Sequence, residues 1–173
     1  MRGPLLPAIL LALPATAAAD PLTITKTATV VSDPLGNALP RSLPGSVVDY
    51  RTRATNPLAN ALKTVAGVKL EEPLPANTVL YVGDLAGAGK GPVEFADGNL
   101  LGTGLLSSGL TYSYSSLAAP GDGLEFSDGT SWSYVPVPDA AGYDARIRAV
   151  RVTLGASFAA TASFQLRYRV KIR

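Results

Sequence analysis

Cysteine and histidine are both missing from the 173-residue chain, and the two absences remove more chemistry than any motif adds. Without cysteine there is no disulfide and no thiolate, so a fold of this length holds together by burying apolar surface. Without histidine the chain lacks the side chain that most often serves as general base and metal ligand near neutral pH, and triads built on imidazole are excluded. Charge is scarce as well. Fifteen lysines and arginines stand against thirteen aspartates and glutamates, a net charge of +2 that gives no argument for a nucleic-acid partner. The longest apolar run, Leu5 to Leu13, is about nine residues and carries Pro7, against the roughly 20 that a membrane-spanning helix needs.

That short run belongs to a different pattern. Arg2 precedes it and the small triplet Ala17-Ala18-Ala19 follows it, the layout of a secretory leader. The expectation is a cleaved N-terminal signal helix over residues 1–19 and a mature chain from Asp20. Loss of Arg2 then lowers the net charge by one. Residues 20–173 suit one domain with a continuous core, exported to the periplasm, the cell surface or the exterior, with no membrane span in the mature chain.

Period-two alternation marks the strands. Phe164, Leu166, Tyr168, Val170 and Ile172 share one face of a terminal strand whose other face carries Gln165, Arg167, Arg169, Lys171 and Arg173. Val48, Tyr50, Thr52 and Ala54 alternate with Asp49, Arg51 and Arg53 in the same way. Further strands are expected over 22–31, 64–71 and 78–82, then 112–116, 124–127 and 131–135, with Pro120-Gly121-Asp122-Gly123 and Asp128-Gly129 turns between the last three. Residues 83–109 read as a long glycine-rich loop with one short pairing run, 92–95. A phase slip over 146–154 suggests a bulge near Ala149. No window free of glycine and proline has good helical periodicity, so the fold class is all-β, an antiparallel sandwich.

The segments Leu22-Thr23-Ile24-Thr25-Lys26-Thr27-Ala28, Leu43-Pro44-Gly45-Ser46-Val47-Val48-Asp49-Tyr50, Ala54-Thr55-Asn56-Pro57 and Glu72-Pro73-Leu74-Pro75-Ala76-Asn77 together resemble the bacterial conserved-repeat domain, an immunoglobulin-like module of exported surface proteins. The resemblance covers residues 22–82, and more weakly Tyr81 to Pro136. It implies an immunoglobulin-like sandwich with a cell-surface or extracellular role, and it brings no catalytic residues.

Other constellations weigh less. Asp84 to Gly91 ends in Gly-Lys like a phosphate-binding loop, but Asp84 stands where the first glycine belongs and Gly91 where the magnesium-binding hydroxyl belongs. Asp122, Glu125 and Asp128 lie in a turn-rich stretch, yet their spacing is not that of a calcium loop. Glu71 and Glu72 are adjacent on a strand and point to opposite faces, which does not suit a glycosidase pair. No catalytic, cofactor-binding or metal-binding residues are assigned.

Two candidates remain. Leu22, Ile24, Ala28 and Val30 form one face of a first strand that another copy could accept, an assembly strand. Tyr112, Tyr114, Trp132 and Tyr134 form two aromatic pairs that could make a four-ring glycan patch if they face outward, or core if they face inward. Charge is also segregated: from Glu71 to Asp144 ten acids accompany the single Lys90, whereas Arg146 to Arg173 holds seven basic residues and no acid. The expectation is a non-enzymatic structural or adhesive protein that associates with protein partners or itself. A carbohydrate-binding module is the alternative.

Overall fold

The computed structural model describes residues 18–99 and 106–173. The leader expected over 1–19 thus lies outside the described residues except for its last two positions. Nine strands follow in order: β1 (Thr23–Ser32), β2 (Val47–Thr55), β3 (Lys69–Pro73), β4 (Thr78–Tyr81), β5 (Val93–Asp97), β6 (Leu124–Ser127), β7 (Tyr143–Asp144), β8 (Ala149–Thr153) and β9 (Ser163–Ile172). Helical structure among the described residues is limited to a 3-10 turn over Leu58–Asn60.

All pairings are antiparallel and fall into two sheets. The first runs β1-β2-β9-β4-β7, and the second is three strands wide, β3-β8-β6. β9 is the axis of the first sheet. One of its edges pairs with β2 from Val47↔Lys171 to Thr55↔Ser163, and the other is shared by β4 toward its C-terminal end and β5 toward its N-terminal end. The alternation in β2 and β9 explains the layering: Val48, Ala54, Phe164, Leu166, Tyr168 and Val170 are buried against Leu124, Phe126, Val150 and Val152 of the second sheet. Together they make an antiparallel β-sandwich around one apolar core.

Some expected elements differ. Residues 112–116 and 131–135 are not strands; the first is tied by a Thr111↔Gly155 bridge and a Gly123 N–H bond to Ser113 O, the second by a Tyr134 N–H bond to Phe126 O. One or two backbone bonds do not make a ladder, and side chains anchor these segments instead. The strand expected from Thr64 begins at Lys69, because Gly67 adopts φ +64, a left-handed conformation no strand residue takes. The phase slip near Ala149 is not a bulge in β8, which pairs without interruption from Ala149 to Thr153. Ile147 is buried from the segment ahead of the strand, so two inward residues fall three apart. The bulge of this sandwich lies in β1 instead, between Val30 and Ser32.

Candidate interaction surfaces

β1 is the outermost strand of the first sheet, and of its residues Val30 alone is half-buried while the others are exposed. It overhangs because the second sheet has only three strands and ends at β3. Register places Ile24, Lys26, Ala28 and Val30 opposite Ala54, Thr52, Tyr50 and Val48, so these residues, with Leu22, form the inward row. Between this row and β3 runs an apolar groove of about 460 Å³ lined by Leu22, Ile24, Val65, Val68 and Leu70. Of the nine large apolar side chains exposed among the described residues, six are on β1 or on the segments that adjoin its two ends. Ile24 and Val31 are on β1 itself, and Leu35 and Leu39 are in the connection that follows. Leu58 and Leu62 flank its start, where Asp20 N–H donates to Asn60 Oδ1 at 2.7 Å and Lys63 Nζ meets Asp20 Oδ2 at 2.6 Å.

Charge bridges the two sheets across this groove. Lys26 Nζ lies 2.5 Å from Glu72 Oε2 of β3; the glutamate side chain is 8% exposed and the lysine 36%. The ammonium stands 5.4 Å from the ring centres of Tyr50 and of Tyr168, which stack 5.5 Å apart. Burial pulls the ammonium's pKa down, but Glu72 and the Tyr168 hydroxyl outweigh it and hold the group above its ordinary 10.5. An inward charge and a bulge are both features that keep an exposed edge strand from pairing indiscriminately with other edges. Lys26 escapes a reading for apolar rows because it is the one charged member of the row Leu22, Ile24, Ala28, Val30.

The basic row of β9 is largely neutralised. Asp49, only 2% exposed although it sits on the outer face, accepts from Arg169 Nε at 2.7 Å and Arg167 Nη1 at 2.8 Å, and Arg167 also pairs with Glu94 directly opposite on β5. Burial favours the protonated carboxyl, and the two guanidinium groups reverse that, so the Asp49 pKa is lowered. Lys171 covers the Tyr143 ring at 4.2 Å, and Arg173 donates to Ala145 O at 2.7 Å.

The acidic stretch is likewise engaged within the chain, because each of the thirteen carboxylates accepts from a neighbour. Asp33, Asp122, Asp128, Asp139 and Asp144 each accept from the backbone N–H two residues on, as aspartates in Asx-type turns do, while Asp84 accepts from the Gly91 N–H and Asp97 from the Ser108 N–H farther along the chain. Asp20, Asp49, Glu71, Glu72, Glu94 and Glu125 are in ion pairs. Asp84 binds the Gly89 and Gly91 amides, so a carboxylate occupies the donors that a phosphate would need. Glu71 and Glu72 do face opposite ways, Glu71 toward Arg151 and Glu72 toward Lys26. Among the described residues no group of three or more histidine, cysteine, aspartate or glutamate side chains is placed to hold a metal ion, and Asp122, Glu125 and Asp128 form no such group.

The four candidate aromatics form two separate pairs. Tyr112 and Tyr114 line a cleft of about 440 Å³ with Phe95, Lys90 and Glu94, whereas Trp132 and Tyr134 line one of about 280 Å³ with Phe126 and Pro120. Tyr112, Tyr114 and Tyr134 pack partly buried against the core. The Tyr112 hydroxyl is buried with no hydrogen-bond partner among the described residues, and burial pushes its pKa up. Tyr134 donates its hydroxyl proton to Asp144 Oδ2 at 2.8 Å. Trp132 lies on the outer face of the second sheet, with the Arg151 guanidinium 3.8 Å from its ring centre. Comparison with family models, with curated proteins and with solved structures finds no match to this chain.

Proposed function

We propose that the chain is an exported, immunoglobulin-like structural or adhesive module without enzymatic activity, which joins protein chains at the cell surface through its β1 margin and can serve as a repeating subunit. The observation that carries this reading is the gathering of exposed apolar side chains on β1 and the segments that adjoin its ends, beside a groove that the three-stranded second sheet leaves uncovered. Such patches on soluble proteins mark association sites. The non-enzymatic part rests on the missing imidazole and on the structural engagement of all thirteen carboxylates. Export and the family rest on the leader pattern and the motifs quoted above.

Light scattering on the purified protein across a concentration series tests this. Species above the monomer mass should grow with concentration and should shrink when Leu39 and Leu62 are replaced by serine. A monomer at every concentration overturns the reading. The shared cleft of Trp132 and Tyr134 favours a second reading, a carbohydrate-binding module. Binding on a glycan array that disappears in Trp132→Ala, with folding intact, would establish it in place of the first.

A further inference from the structure

We propose that the partner at this margin is a second copy of the chain, and that β1 exchanges between copies, the strand of one molecule seating against β2 and β3 of the other. The proposal rests on the association reading above and specifies its partner.

The first argument is what the seat requires. With β1 gone, β2 would lose a ladder running from Thr23↔Thr55 to Ser32↔Val47, and Glu72 would lose its cation while remaining buried. Unpaired backbone groups and a buried carboxylate without a partner both penalise an empty seat. The refill has to match two charges of opposite sign, because the seat offers Lys63 at one end and Glu72 along its length. Residues 20–32 supply the acid, Asp20, and the base, Lys26, with apolar or small residues at Leu22, Ile24, Ala28 and Val30 filling the rest of the row. Lys26 is the only lysine in an inward row among the described strands; Lys69 and Lys171 belong to the outward rows. The segment that fits is therefore β1, whether from the same chain or another, and its orientation is set by the order of the two charges.

The second argument is the hinge. β1 is exposed along nearly its whole length, so leaving the seat uncovers little of the strand itself. It joins β2 through residues 33–46, a long connection carrying Pro34, Pro40 and Pro44, where a tight two-residue turn would have fixed the strand in its own domain. Much of that connection is ordered by contacts within itself: Asp33 accepts from the N–H groups of Leu35, Asn37 and Arg41 and from the Asn37 amide. The part from Asp33 to Arg41 can swing as a preformed spacer, while Gly45 N–H and Ser46 O stay bonded to Ile172 of β9. The inward Lys26 and the bulge, which guard β1 against other edges, do not oppose exchange, since the exchanged strand keeps both in their native places.

Charge reversal tests this directly. Lys26→Glu and Glu72→Lys chains each place like charges across the groove, whether the strand stays at home or exchanges with an identical copy. When the two are unfolded and refolded together, exchange restores opposite charges in both seats. The expected result is a mixed dimer in equal proportion that melts near the unmodified protein, while each variant alone gives neither. A mixture that behaves as the sum of its parts overturns exchange. Single cysteines supply a second readout that needs no destabilised variant: Thr25 and Arg53 are register partners, so a Thr25→Cys chain mixed with an Arg53→Cys chain should oxidise to a species of twice the chain mass, in excess of either variant alone. No excess also overturns exchange. Concentration-dependent association of the unmodified protein that persists through both negative results would leave the association reading standing and remove only the exchanged strand.

Discussion

At the scale of single residues the Lys26–Glu72 pair is asymmetric, and the asymmetry can be measured. Lysine can withdraw into water, whereas the glutamate cannot. Lys26→Ala should therefore cost about 2–3 kcal/mol, near the value for stranding a largely buried charge, and Glu72→Ala about 1 kcal/mol. Urea unfolding of the two variants checks the order; equal losses would mean that Glu72 is solvated. Asp33 and Asp128 are held down to about 2, Asp33 first by the Asn37 amide and Asp128 first by the Thr130 hydroxyl. Their contribution is present above the ordinary 3.8 and is lost as pH falls through the lowered values. The loops they cap should open between about pH 4 and pH 2, seen as faster amide exchange at Leu35, Asn37 and Thr130 before the core melts. The Lys26 shift has the opposite sign: its contribution is present below 10.5 and is lost only as pH rises through the raised value.

At the scale of elements the β1–β2 connection turns on Gly45. Its φ is +92, and a Cβ there would meet Pro34 Cγ at 2.8 Å, a rigid ring that cannot move aside as a flexible chain would. Gly45→Ala should loosen the hairpin and raise the share of associated protein at a given concentration, measured by light scattering. A variant that unfolds to monomer or leaves the distribution unchanged would deny the connection its role as hinge. Packing sets a second contrast. Phe164 is fully buried between Phe95 and Phe158, so Phe164→Ala should cost about 3–5 kcal/mol. Trp132 lies outside the core on Arg151, and Trp132→Ala should cost less than about 1 kcal/mol by thermal melting.

At the scale of the whole molecule, the charge segregation of the sequence does not survive folding as two opposed poles. The seven aspartates that cap loops are tied to their own backbone, and Asp49 and Glu94 neutralise Arg167 and Arg169. Head-to-tail attraction between an acidic and a basic half therefore has little to work with. Association should depend weakly on salt between about 0.05 and 0.5 M, because apolar contacts dominate the margin and the exposed ion pairs contribute little. Sedimentation at the two ionic strengths decides it, and a collapse of association at high salt would mean that charge pairs between copies hold them together.

Period-two alternation determined β2 and β9 down to the inward residues, since a strand with one buried face has no other way to arrange its side chains. Turn chemistry similarly bounded β6 between Gly123 and Asp128. Where alternation was real but no partner ladder was available, as at Tyr112 to Ser116 and Ser131 to Val135, the pattern showed which side chains share a side and left open whether that side meets the core, as Tyr134 does and Trp132 does not. The two-residue β7 has no periodicity to detect. The margin itself was half legible: the apolar members of the β1 row were visible by spacing, but Lys26 acquires meaning only when β3 brings Glu72 to it from 46 positions away. Whether β1 would be covered also depended on the width of the second sheet, and sheet width is a property of pairing between distant segments that local pattern does not encode. The sequence by itself determined β2 and β9 with their inward faces and the bounds of β6; the tertiary structure alone decided that the first strand overhangs, and so which face of the molecule is left to meet another.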